Sequence, residues 1–96
     1  MAFRKRFIHP DLFSDWELIE LGLSGVLTFI GMICSADDVG NLKYCCNTIY
    51  AKTFPMTDDV SVKDVEQAVE GLIQVGLVKV YEADGQNYLH INRFHK

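Results

Sequence analysis

The chain has 96 residues, which supports one hydrophobic core and leaves no length for a second, so residues 1–96 read as a single domain. Hydrophobic residues are 49% of the chain and charged residues 23%, which excludes a disordered polyelectrolyte, and no apolar run reaches the roughly 18 residues of a membrane-spanning helix. The net charge of −4 disfavours a polyanionic partner, but it is unevenly spread: five of the nine bases lie at the two ends, and all thirteen acids fall between Asp11 and Asp84.

The first residues, Met1-Ala2-Phe3-Arg4-Lys5-Arg6-Phe7-Ile8-His9-Pro10, are basic but lack the apolar stretch of a secretory signal. The three cysteines are an odd number, and Cys45 and Cys46 are adjacent, a poor basis for a disulfide framework. Together these features predict a soluble, intracellular chain. Cys34 lies in an apolar run and is expected to be a small buried hydrophobe. His9, His90 and His95 are scattered, without the close ligand spacing of a zinc site, so neither a metal nor a cofactor is expected.

Lys5 to His9 looks extended, with Phe7 and Ile8 apolar, and ends at Pro10; it is a candidate strand. Ser14-Asp15-Trp16-Glu17 has the form of a capping box and predicts a short helix from Asp15 to about Leu21. A second helix is expected from Ser24 as N-cap through Cys34, apolar nearly all round as a central helix should be. Ala36-Asp37-Asp38-Val39-Gly40 carries turn chemistry, and a short extended piece is expected at Asn41 to Tyr44. Cys46, Ile49, Tyr50 and Phe54 recur at helical spacing, in a third helix closed by Phe54-Pro55.

The clearest signal follows. Ser61, with Asp64 at N3, opens a helix whose Val62, Val65, Ala68, Val69, Leu72 and Ile73 form one apolar stripe, with Gly76 as the C′ residue. The period then becomes two, and Asp84-Gly85 between Leu77–Ala83 and Gln86–Phe94 marks a β-hairpin. Tyr81 and Tyr88 lie about equally far from that turn and are expected to be cross-strand neighbours. Trp16, Phe29, Tyr50, Phe54 and Phe94 are assigned mainly to core packing, and His90 to the solvent face of its strand.

The predicted fold class is therefore α+β: a winged helix-turn-helix with a three-helix core, a short N-terminal helix, a C-terminal β-hairpin and a candidate third, N-terminal strand. In that plan the helix before the hairpin is the recognition helix and the hairpin tip is the wing. If the N-terminal strand lies beside the hairpin, the basic ends meet in one positive patch on an acidic body.

Several short motifs, in order, carry a resemblance: Arg6-Phe7-Ile8-His9-Pro10, Ala36-Asp37 with Gly40, Phe54-Pro55, Gly76-Leu77-Val78, Tyr81, Asp84-Gly85 with Tyr88, and Ile91 through Phe94-His95-Lys96. The set resembles the N-terminal winged-helix domain of phage and prophage replication-initiation proteins, the replisome organisers. The resemblance spans nearly the whole chain. It implies a DNA-binding module of phage origin, cytoplasmic in a bacterial host. Such domains are often followed by a second domain that engages replication machinery, so the chain is expected to be a fragment or a free-standing relative.

Two functional classes follow from the residues. In the first, Arg4, Lys5, Arg6, Arg93 and Lys96 contact the phosphates of double-stranded DNA. Lys43, Asn47, Lys52 and Lys63 assist them, and Gln67 contacts a base. In the second, the domain is an interaction or self-association module that uses an acidic helix face or a sheet edge. The helix after Ser61 favours this second class, because outside its apolar stripe it carries Lys63 against Asp64, Glu66 and Glu70. An enzyme is the least expected class, since the chain has no phosphate-binding loop, dinucleotide motif, zinc-protease motif or nucleophile elbow. The acid pairs Asp37-Asp38 and Asp58-Asp59 lie in turn-like loops.

Overall fold

The computed structural model describes residues 16–92, with helices α1 (Trp16–Ile19), α2 (Gly22–Ser35), α3 (Cys46–Thr53) and α4 (Val62–Gln74) and strands β1 (Asn41–Lys43), β2 (Val78–Ala83) and β3 (Gln86–Ile91). The strands form one antiparallel sheet in the order β1-β3-β2. The hairpin register pairs Val78 with Ile91 and Ala83 with Gln86, while β1 pairs Asn41 with His90 and Lys43 with Tyr88.

The third strand of the sheet is thus Asn41–Lys43, and it fills the side of β3 that β2 leaves open. The expected N-terminal strand beside the hairpin, Lys5 to His9, falls on residues outside those described, as do Ser14, Phe94 and the charged ends.

Local chemistry accounts for the element boundaries. Ser61 Oγ accepts from the Asp64 backbone N–H, and the Ser61 N–H donates to Asp64 Oδ2 at 2.9 Å; this reciprocal box satisfies two donors that helix geometry leaves over. Gly76, at φ +84, turns the chain out of α4. Asp84 (φ 54) and Gly85 (φ 79) make the tight hairpin connection, a left-handed pair that Asp tolerates better than most side chains. Asp37 Oδ1 accepts from the N–H groups of Val39 and Asn41, fixing the turn that leads into β1.

The beginning of α2 departs from expectation. The helix starts at Gly22 with Leu21 at the N-cap position and no side-chain cap, so Ser24 is inside it. α1 is correspondingly shorter than predicted.

The core lies where α2, α3 and α4 meet the inner face of the sheet. Met32, Val65, Val69, Leu72 and Leu89 are fully buried at its centre, with Phe29, Ile49, Phe54, Val78 and Ile91 around them. Truncating one of the central Leu residues to Ala should cost about 2–5 kcal/mol through reduced transfer energy and the cavity left behind.

α2 and α3 approach closely at Gly31. A methyl group there would overlap the Thr53 side chain, so glycine sets the spacing of the two helices. Two expectations are corrected. Trp16 is 78% exposed rather than part of the core, and Cys34 is only half-buried. Among the described residues no helix is long and apolar enough to cross a membrane.

Candidate nucleic-acid interface

The apolar stripe of α4 faces the core, which turns Lys63, Glu66, Gln67, Glu70 and Gln74 to solvent. The start of α3 lies alongside. Between them runs an open groove of about 700 Å³, with Tyr44, Cys46 and Asn47 on one wall and those α4 side chains on the other. Three residues expected at a DNA interface, Asn47, Lys63 and Gln67, therefore converge on one surface, although two separate helices contribute them.

The groove is acidic. Burial pushes the Tyr44 phenol above its ordinary pKa, and Cys46, Glu70 and Glu66 add to the rise. The Cys46 thiol is raised too, by burial first and then by the charge of Glu66, with Cys45 and Glu70 behind it. Both shifts draw on α4 carboxylates that lie across from the α3 wall. Lys63 supplies the groove's single cation among its described lining residues.

Cys45 behaves in the opposite way. It occupies the N-cap position of α3, and the Thr48 hydroxyl donates to its Sγ at 3.2 Å. That bond, helped by the backbone N–H groups of Thr48 and Asn47 and by the charge of Lys43, lowers the pKa of the thiol. Adjacent cysteines thus sit in contrary environments.

The remaining predicted residues lie elsewhere. Lys52 is half-buried in the last turn of α3, where a cation complements the helix dipole. Lys43 is exposed on β1, opposite Tyr88, on the sheet face turned away from the core. Arg4, Lys5, Arg6, Arg93 and Lys96 lie outside the described residues. The hairpin tip, Asp84-Gly85-Gln86, presents no cation.

That outer sheet face holds a second arrangement, of which only the tyrosine pairing is foreshadowed by sequence spacing. Tyr81 and Tyr88 pair in register and stack, with ring centroids 5.6 Å apart and 20° between planes. One row along, His90 Nδ1 donates to Asn41 Oδ1 at 2.8 Å, and Lys79 stands opposite His90 on the other side. His90 faces outward as expected, but half-buried and bonded rather than solvated. A shallow depression of about 430 Å³ is bounded by Val39, Asn41, Lys79, Tyr81 and His90.

Among the described residues no group of three His, Cys, Asp or Glu side chains is placed to hold a metal ion. Comparison of the chain with protein-family models, curated proteins and solved structures gave no match.

Proposed function

We propose that the chain is a winged-helix module that binds double-stranded DNA, of the kind found in phage-type replication-initiation proteins. The observation that carries this reading is the sheet order β1-β3-β2, with α4 directly before the hairpin and Asn47, Lys63 and Gln67 on one groove beside it. In a winged helix the corresponding helix approaches the major groove. There Gln67 suits adenine, Lys63 a phosphate, and Asn47 a phosphate or a base edge. The basic ends, Arg4, Lys5 and Arg6 with Arg93 and Lys96, supply the phosphate contacts that the acidic body lacks.

A second reading rests on Glu66 and Glu70. Two carboxylates on the exposed face of α4 repel a phosphate backbone and suit a basic protein partner, from the replication machinery or another source.

Fluorescence anisotropy with labelled duplex DNA separates the two. On the DNA reading, Lys63→Ala weakens binding to all sequences alike and reduces the salt slope by roughly 0.9. Gln67→Ala instead relaxes sequence preference, by about 1–3 kcal/mol at one base pair. Wild-type protein that binds no duplex at low salt would leave the protein-partner reading.

A further inference from the structure

The outward face of the three-stranded sheet is chemically unlike α4. Strand alternation turns Asn41 and Lys43 of β1, Lys79 and Tyr81 of β2, and Tyr88 and His90 of β3 to that side, and no Asp or Glu is among the outward positions of the strands. Glu82, opposite Asn87, belongs to the other face. Asp37, near the rim, uses its Oδ1 to hold the turn into β1. A chain that is acidic overall thus has one described face whose strand positions carry cations alone.

The pattern on that face is a grid. One row runs Lys43–Tyr88–Tyr81 and the next Asn41–His90–Lys79, so the two lysines stand at opposite corners with the stacked tyrosines and the imidazole between them. Two interstrand steps of ~4.8 Å and a two-residue rise of ~6.8 Å put their Cα atoms about 12 Å apart. Both lysines are exposed, and both rings are partly so.

From this geometry we infer that the outer sheet face binds an unpaired strand of DNA, with a base on the Tyr81–Tyr88 stack and flanking phosphates at Lys43 and Lys79. The face suits a single strand rather than a duplex because a base can reach a tyrosine ring only when unpaired, and stacking tolerates any sequence. The Asn41 amide oxygen accepts from His90 Nδ1 and so fixes the imidazole ring in the depression it shares with Lys79 and Tyr81. The inference rests on the reading that the module serves DNA. It uses none of the α4 residues, so either can fail alone.

The test is anisotropy with a labelled oligothymidylate of about 12 nucleotides, within the usual range of single-strand site sizes. A matched duplex and an oligoglutamate competitor are run in parallel. Wild-type protein should bind the oligothymidylate, and Tyr81→Ala should weaken it about ten-fold while Tyr81→Phe retains it. The Lys43→Gln, Lys79→Gln pair keeps both rings and should lower the salt slope by ~1.4, at ~0.7 for each phosphate left without its lysine. Lys63→Ala should leave this binding unchanged, which separates it from duplex binding by α4. Absence of oligothymidylate binding at low salt would overturn the inference. So would equal weakening of duplex and single strand in Tyr81→Ala, or equal competition by oligoglutamate, since either would mark a general anion surface.

Discussion

Tyr81 and Tyr88 lie directly opposite each other across the hairpin, their rings stacked at 5.6 Å on the face turned away from the core. They join the two hairpin strands where the inner face has already run out of core, since Glu82 and Asn87, the next pair toward the tip, are exposed. An aromatic pair contributes about 0.5–1.5 kcal/mol beyond its buried area. A double-mutant cycle of Tyr81→Ala and Tyr88→Ala in urea unfolding should return a coupling energy of that order. Additive effects would mean the rings touch without stabilising the hairpin.

The packing of α2 on α3 makes a sharper prediction. Gly31→Ala forces a methyl group into the Thr53 side chain and should destabilise by about 1–3 kcal/mol, as overpacking does. Thr53 Oγ1 is itself buried without a hydrogen-bond partner, so Thr53→Ala removes an unsatisfied hydroxyl and the two nearest obstructing atoms, Oγ1 and Cγ2, and leaves only Cβ, 2.9 Å from the added methyl. The Gly31→Ala, Thr53→Ala double variant should recover part of the stability, since a small shift of the remaining Thr53 Cβ is still needed. A double variant as unstable as Gly31→Ala alone would place the clash elsewhere.

These elements show how much can be read from the residues. Helix α4 is legible to within a residue because its signals are local: a serine and an aspartate three apart, a stripe at helical spacing, a glycine beyond the end. The hairpin is legible for the same reason. β1 is visible as an extended piece, but not as the third strand. Three residues are too few to show alternation, and its partner, His90, is forty-nine positions away from Asn41. The first turn of α2 is misleading because Ser24 looks like a cap, whereas the chain turns earlier, at Gly22 (φ 83).

The candidate site divides in the same way. Asn47, Lys63 and Gln67 are identifiable by residue type, and the carboxylates of α4 by periodicity. That Tyr44 and Cys46 face those carboxylates depends on how α3 packs beside α4, which no short-range pattern encodes. The His90–Asn41 bond is hidden for the same reason.

The two adjacent cysteines should differ in reactivity. The Thr48 hydrogen bond lowers the Cys45 pKa in the folded chain, so the stability this group contributes is present above its unfolded pKa and is lost as pH falls through the folded one. Cys46 is raised, so its contribution is complete below the unfolded pKa and is lost as pH rises through the folded one. Alkylation followed by mass spectrometry from neutral to alkaline pH should therefore modify Cys45 first, at a lower midpoint, and Thr48→Val should narrow the gap. Earlier modification of Cys46 would contradict the assignment.

Glu66 and Glu70 offer a test of which way α4 faces. If the groove lies against DNA, Glu66→Gln with Glu70→Gln removes two repulsive charges and should strengthen duplex binding several-fold, more at low salt than at high. The same substitutions should lower the alkylation midpoint of Cys46, because those carboxylates raise its pKa. A lowered midpoint with unchanged duplex affinity would show that the field is altered but that α4 faces away from DNA.

On the duplex-binding reading, a chain of net charge −4 holds DNA through the cations of its two ends together with Lys63, the one base of α4. The most direct measurement is duplex affinity against salt concentration for the wild-type chain and for Arg4→Ala, Lys5→Ala, Arg6→Ala combined. The wild type should give a log–log slope of several units, reduced in the triple variant by up to about 0.9 for each phosphate that is no longer neutralised. No binding at low salt, or an identical slope in the two proteins, would contradict that reading.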